Sequence, residues 1–212
     1  MYIIVLADAA FRTLIRAIPL AILALCSASP ATAQSVEPAY TEACFYSDQT
    51  GSFEMAKDCA TTDIEHPQIA PHIVESLHYD QGLAQVSISR SGIYYRHRDG
   101  RMAQMFVFDN GPDPFSQGRA RARIDGRLAY VDRRLRVRIR TGYDWGEPFE
   151  NGRAAVCIGC AITPVDAGEH HVVTGGRWGV IDCHGRELVP LRYTTAELAA
   201  RRPAKSARGC PR

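Results

Sequence analysis

An internal repeat constrains the fold of this chain more than any other feature of its sequence. Three segments align without gaps, and each reads aromatic, any residue, amide, Gly, any residue, Ala, any residue and small apolar; they are residues 79–86, 115–122 and 149–156. Their glycines lie 36 and 34 residues apart. An amide followed by glycine suits a turn with positive φ, and the alternation after it has the period of a β-strand. Each copy is therefore predicted to begin with a turn that leads into a strand.

A second motif that begins with glycine follows in each copy. Residues 126–132 read Gly-Arg-Leu-Ala-Tyr-Val-Asp and residues 176–182 read Gly-Arg-Trp-Gly-Val-Ile-Asp, whereas residues 92–95 keep only Gly-Ile-Tyr-Tyr. Such segments predict short strands separated by glycine turns. A single unit of this kind cannot bury both of its faces, so neighbouring units must stack and share a core.

The predicted fold class is all-β, with tandem antiparallel β-hairpin repeats stacked in an array, a mixed N-terminal cap and a short C-terminal helix. The predicted parts are a signal peptide at 1–33, the cap at 34–78, repeats at about 79–114, 115–148 and 149–193, and the C-terminal helix and tail at 194–212.

One pair of residues connects these repeats to a known family. Trp178-Gly179, set within Gly-Arg-Trp-Gly-Val-Ile-Asp and preceded by Phe-x-x-Gly-x-Ala-x-Val, resembles the WG repeat of bacterial proteins. The resemblance covers about 79–193, although Leu128-Ala129 replaces Trp-Gly in the second copy. It implies a β-rich array with a binding or scaffolding role and no catalytic residues. We expect Trp178 to be buried in a shared core and Gly179 to admit a neighbouring backbone or the indole itself.

The N-terminus has the features of a secretory signal. Arg12 and Arg16 precede an apolar run at residues 17–26, and small residues at 31–33 suit a signal peptidase. The run is shorter than the ~20 residues needed to span a bilayer. The sequence predicts cleavage after Ala33, no transmembrane span in the mature chain, and a periplasmic or secreted protein.

Cleavage would remove Cys26 and leave six cysteines, which are Cys44, Cys59, Cys157, Cys160, Cys183 and Cys210. An even number in an oxidising compartment favours disulfides. Pairing Cys44 with Cys59 and Cys157 with Cys160 is favoured because each pair closes a short loop. Cys183 and Cys210 then remain for each other.

The segment Cys157-Ile158-Gly159-Cys160 is the sharpest candidate for chemistry, and three interpretations stay open. A redox dithiol normally lies at a helix N-terminus, whereas this pair extends a predicted strand. A zinc site needs further ligands, for which His170, His171, Cys183 and His184 are available. A structural disulfide is the interpretation favoured for an exported protein.

Arginines alternate with apolar residues in two stretches, and the period of two puts each set on one face of a strand. The set consists of Arg119, Arg121 and Arg123 in the first stretch and of Arg134, Arg136, Arg138 and Arg140 in the second. If the two strands pair, the guanidinium groups form a ladder that suits an anionic partner such as an envelope polysaccharide, lipid headgroups or an acidic protein surface. Alternatively, the arginines only keep the outer face soluble or protect an edge strand.

The remaining sequence indicates binding rather than catalysis. It contains no phosphate-binding glycine loop before a helix and no serine elbow, so we predict no enzyme activity, no cofactor and no metal. The formal charge of +2 argues against a nucleic-acid partner. The predicted function is a non-catalytic, exported binding or scaffold module of the cell envelope, with an unidentified protein or an anionic envelope component as its partner. The alternative is an envelope thiol-redox or metal-binding protein centred on Cys157 and Cys160. An insertion at 159–175 is either a binding face or a solvated excursion.

Overall fold

The computed structural model describes residues 38–140, 142–165, 170–201 and 209–210, all of which belong to one contact unit, Glu37–Arg212. Within these ranges the chain forms strands and two short helices, so the predicted all-β class is confirmed. In chain order they are β1 (Glu42–Ser47), β2 (Phe53–Ala60), α1 (Pro71–Ser76), β3 (Leu83–Ile88), β4 (Gly92–His97), β5 (Met102–Met105), β6 (Val107–Phe108), β7 (Gly111–Pro112), β8 (Ala120–Ile124), β9 (Arg127–Val131), β10 (Val137–Arg140), β11 (Trp145–Gly146), β12 (Arg153–Val165), β13 (His170–Asp182), β14 (Glu187–Tyr193) and α2 (Thr195–Ala199).

The strands assemble into antiparallel sheets. The larger sheet has the order β10-β9-β8-β5-β4-β3-β1-β2, the smaller has the order β11-β12-β13-β14, and β6 and β7 form a two-stranded sheet. Consecutive strands are neighbours at most positions, as expected when short turns join them. The N-terminal segment joins the array directly, because β1 pairs with β3 as well as with β2.

Each repeat opens with the predicted turn. The amide and the glycine of the motif have positive φ in all three copies: Gln81 and Gly82, Gln117 and Gly118, Asn151 and Gly152. The residues on either side of each turn exchange two backbone hydrogen bonds, as Asp80 and Leu83 do in the first copy. Two positive φ values in a two-residue loop match the right-handed twist of the strands that follow. The turn-then-strand prediction is confirmed in all three copies.

Each repeat continues as three strands rather than the two of a simple hairpin. The three units are β3-β4-β5, β8-β9-β10 and β12-β13-β14. An aspartate makes the second turn in the later copies: the Asp132 carboxylate accepts the backbone N–H groups of Arg134 and Arg136 at 2.9 and 3.0 Å. Asp182 makes the equivalent turn in the third repeat. A carboxylate that accepts two backbone donors fixes a loop that glycine alone leaves flexible.

Apolar side chains form several buried clusters in the array. Ile73 of helix α1 and Leu77, which follows the helix, belong to one buried cluster with Val86 and Ile88 of β3. A second cluster joins the later repeats, with Leu128, Tyr130 and Ile139 from the second and Phe149, Val156 and Ile181 from the third. The predicted stacking of units around a shared core is therefore present between the second and third repeats.

The two ends of the chain are only partly described. The predicted signal peptide lies outside the described residues. At the other end, α2 begins with a capping box between Thr194 and Glu197 and buries Leu198. Among the described residues, no helix has the length and apolar character needed to cross a membrane.

Candidate functional site

The two arginine stretches do not lie on paired strands, so the condition for an arginine ladder is not met. Strand β9 lies between β8 and β10. Arg121 is 4% exposed and forms an ion pair with the fully buried Asp113. The Oδ1 atom of Asp113 lies 3.0 Å from Arg121 Nε. Arg121 also donates to the Gly146 carbonyl at 3.1 Å. Arg119 is buried as well, and its Nε has no hydrogen-bond partner among the described residues.

The other arginines of the two stretches lie near the surface and face local acids or rings. Arg123 stacks over Phe106, with 4.8 Å from its guanidinium carbon to the ring centroid. Arg134 and Arg136 lie in the turn held by Asp132, which pairs with Arg136 at 2.8 Å and with Arg138 at 3.9 Å. Arg140 pairs with Asp125 at 2.6 Å. Asp125 and Asp132 thus offset the arginine charges, as the alternative interpretation of an outward, soluble face expects, whereas the sequence pattern did not indicate Asp113.

The six cysteines pair as predicted. Cys44 bonds to Cys59, Cys157 to Cys160, and Cys183 to Cys210. In a regular strand, residues three apart point to opposite faces and lie about 10 Å apart. Gly159, with φ of +71°, bends β12 so that the Cα atoms of Cys157 and Cys160 are 6.1 Å apart. Cys157 is fully buried in the cluster that contains Trp178, which supports the structural interpretation of this pair.

The zinc interpretation finds no further support. Among the described residues, no three His, Cys, Asp or Glu side chains come together as metal ligands do. Cys183 is bonded to Cys210, and His184 is exposed in the turn held by Asp182. The side chains of His170 and His171 lie outside the described part of the chain.

Trp178 is buried as expected, but in a cluster of third-repeat and α2 residues with Trp145 rather than in the core shared with the second repeat. Trp178 is 4% exposed, and its indole N–H donates to the Gly175 carbonyl at 2.8 Å. A Cβ on Gly179 would lie 2.5 Å from the Val189 carbonyl oxygen, so the strand requires glycine where β14 approaches. In the second repeat Arg123 opposes Leu128 across the hairpin, as Cys157 opposes Trp178 in the third. Leu128-Ala129 therefore occupies the Trp-Gly position, as the sequence alignment predicted.

The predicted insertion forms the outer half of a long hairpin, which we call the arm (residues 160–165 and 170–175). Ile162 faces Val173, and Thr163 faces Val172. Ile162 and Val172 are 39% and 42% exposed. Strand β11 pairs with β12 only at Val156 and Cys157, and β14 pairs with β13 only from Trp178 onward. Both edges of the arm are therefore open in the described structure.

A groove with an aromatic wall, which we call the aromatic groove, lies on the larger sheet where the first repeat meets the second. Its volume is about 400 Å³, and its lining consists of Ser47, His78, Asp80, Gln81, Leu83, Gln85, Tyr95, Pro114, Phe115 and Arg133. The rings of Tyr95 and Phe115 stack with 5.8 Å between centroids and 28° between planes. Arg133 lies over Phe115 at 4.9 Å. The sequence did not indicate this groove, in which Tyr95 and Phe115 are only partly buried.

Comparison with protein families matches residues 130–159 to the model described as WG containing repeat. No characterised protein and no solved structure gives a significant match to the chain. The matched segment runs from β9 to the bend at Gly159, so it includes Trp145-Gly146 and ends before Trp178-Gly179. The suspected WG-repeat character is thereby confirmed: the chain carries a WG-containing repeat.

Proposed function

We propose that this protein is a non-catalytic, exported repeat protein that acts as a binding module in the cell envelope and captures a partner protein by strand addition at the arm. The single observation behind the proposal is that the two strands of a long hairpin carry no charged residue along the arm and that both edges are open. The described repeats serve as the scaffold that holds this hairpin in place.

The composition of the arm favours a partner. Residues 154–165 and 170–176 contain no Asp, Glu, Lys or Arg. Folded proteins normally protect open edges with charged residues, because unpaired backbone groups attract another strand. An isolated two-stranded hairpin is marginally stable in water, so a third strand that pairs with either edge would stabilise the arm.

The base of the arm holds it in one direction. The Cys157–Cys160 disulfide crosses the bend, and Gly176 packs so closely that a Cβ there would lie 2.6 Å from the Cys160 nitrogen. Trp178 lies opposite Cys157 on the paired strand and belongs to the same buried cluster. A rigid base reduces the ordering entropy lost on binding, which is how preorganised surfaces gain affinity.

Export is part of the proposal. It rests on the leader at 1–33 and on the three disulfides, which are compatible with a periplasmic or extracellular protein.

The test is a pull-down from envelope extract with the mature chain and two lysine variants. Val172→Lys adds a charge to an open edge of the arm, and Leu188→Lys adds the same charge to another half-exposed aliphatic position in the same sheet. We expect Val172→Lys to reduce capture of the partner about tenfold, or ~1.4 kcal/mol, and Leu188→Lys to leave it unchanged. Equal capture by both variants would overturn the proposal. So would sedimentation in which the chain only self-associates and Val172→Lys abolishes that self-association.

A further inference from the structure

We propose that the aromatic groove is a second binding site, separate from the arm, and that it takes a saccharide chain. Its lining combines stacked aromatic rings with neutral hydrogen-bonding side chains along an open, shallow surface. Neither the family match nor the arm assigns it a role.

The floor of the groove offers side chains rather than backbone groups. Ser47, Gln85 and Tyr95 come from β1, β3 and β4, which are neighbours in the sheet. Each of these strands has a neighbouring strand on both sides, so the groove lies on a face of the sheet and not along an open edge. A peptide that binds by strand addition needs an open edge, whereas a ligand recognised through side chains does not. Adjacent strands lie about 4.8 Å apart, so a chain laid across them meets a new side chain at each strand.

The aromatic wall suits the apolar face of a sugar ring. A pyranose presents C–H groups on its faces and hydroxyls at its rim. Aromatic rings pack against the C–H groups, and neighbouring polar side chains form hydrogen bonds with the hydroxyls. Tyr95 has both an aromatic ring and a phenol hydroxyl that can donate and accept hydrogen bonds. Beyond Ser47, its cross-strand partner Phe53 is 73% exposed, and Phe45 on the same strand as Ser47 is 42% exposed. The apolar surface therefore continues to the edge of the sheet.

The polar rim matches hydroxyl chemistry. The side chains of Gln81 and Gln85 make no hydrogen bond to the rest of the described chain, and both are exposed. An amide donates and accepts, as a sugar hydroxyl does. Arg133 and Asp80 line the groove as well. A neutral sugar can form hydrogen bonds with both charged groups, and the carboxylate of a uronate can also form an ion pair with the Arg133 guanidinium.

The pairing of an arginine with the aromatic residue of the repeat motif occurs twice. Arg98 lies over Tyr79 at 4.4 Å in the first repeat, and Arg133 lies over Phe115 at 4.9 Å in the second. Each arginine directly follows the residue that opens the second turn, His97 or Asp132.

In the third repeat the corresponding residue is Cys183, which is bonded to Cys210 of the tail. Phe149 there is 1% exposed, and Cys210 packs against the cluster that contains it. Cys210 of the tail therefore lies beside the buried ring of Phe149 in the third repeat, whereas the equivalent ring of Phe115 in the second repeat stays partly exposed.

The test measures binding of defined oligosaccharides to the mature chain by calorimetry and by saturation-transfer NMR. The probes are cellotetraose, chitotetraose and tetragalacturonate, so that neutral and carboxylated sugars are compared. Gln85→Ala and Arg133→Ala change the groove, and Gln68→Ala removes an exposed glutamine outside it. We expect at least one probe to bind, Gln85→Ala to weaken it about tenfold, Arg133→Ala to weaken the uronate most, and Gln68→Ala to have no effect.

Several results would overturn the proposal. The proposal fails if every probe fails to bind at millimolar concentration. It also fails if binding is unchanged in both groove variants. Displacement of the sugar by an extended peptide, itself sensitive to Gln85→Ala, would reassign the groove to peptides. Val172→Lys separates this site from the arm, because it should leave sugar binding intact whether or not partner capture is lost.

Discussion

Where the first repeat meets the second, β5 pairs with β8 and the two units share one sheet, whereas the second and third repeats pack sheet against sheet. At the second junction Tyr130 meets Phe149 edge to face, with 4.7 Å between ring centroids. The repeat units are alike in turn and strand order, so the difference has to come from what joins them. Hydrogen-bonded extension leaves a sheet face open, and face-to-face packing closes one.

The two connectors explain the choice. The first supplies Asp113, which is buried with Arg121 and also accepts the Arg121 backbone N–H at 2.7 Å. The second supplies Trp145-Gly146, which pairs with β12; a Cβ on Gly146 would lie 2.6 Å from Leu128 Cδ2. Glycine there lets the third repeat approach the core of the second. The open junction keeps the aromatic groove, and the closed junction buries Phe149.

The comparison is tested most strongly by truncating the equivalent aromatic residue at each junction. Phe149→Ala should cost about 3–5 kcal/mol, as expected for a fully buried ring. Phe115→Ala should cost only about 1–2 kcal/mol, because that ring is partly exposed in the groove. Urea denaturation followed by circular dichroism measures both. Equal losses would mean that the two junctions bury their aromatic residues alike and that the proposed contrast is wrong.

The second prediction concerns the buried ion pair at the first junction. Asp113→Ala leaves the Arg121 guanidinium buried without its partner and should cost about 3 kcal/mol. Adding Arg121→Leu should recover part of the loss, since the uncompensated charge is then gone. Arg140→Ala is the matched control, because its pair with Asp125 is exposed and should contribute less than about 1 kcal/mol. A double variant no more stable than Asp113→Ala would contradict this account.

Sequence pattern predicted the units far better than their junctions. The turns at Gln117-Gly118 and its equivalents, the burial of Trp178 and the disulfide pairs follow from local spacing and chain distance. The Arg121–Asp113 pair does not, because alternation of Arg and Ala in β8 indicates only that one face is charged. Which face is buried depends on a carboxylate in the connector, outside the repeat pattern. The aromatic groove escaped prediction for the same reason: its lining comes from five segments that are separate in sequence.

The last prediction is the smallest and asks whether the repeats themselves are equivalent despite their different junctions. Burial alone would raise the pKa of Asp132, but hydrogen bonds from Arg136 and Arg134 lower it overall. The pKa of Asp182 is likewise lowered, because hydrogen bonds from Arg186 and His184 outweigh burial. A carboxyl whose pKa is lower in the folded state than in the unfolded state stabilises the fold at pH values above its unfolded-state pKa. That contribution is lost as the pH falls through the folded-state pKa.

Both turns should therefore stabilise the protein at neutral pH and lose this contribution below about pH 4, near the ordinary aspartate pKa of 3.8. Asp132→Asn and Asp182→Asn keep an acceptor for the backbone N–H groups but remove the charge. Each variant should melt below the parent at pH 7, and each gap should shrink at pH 3. Thermal unfolding at both pH values measures this, with Asp125→Asn as a control at an exposed carboxylate. If only Asp182→Asn shows the pH dependence, the turns are not equivalent, and the units would differ internally as well as at their connectors.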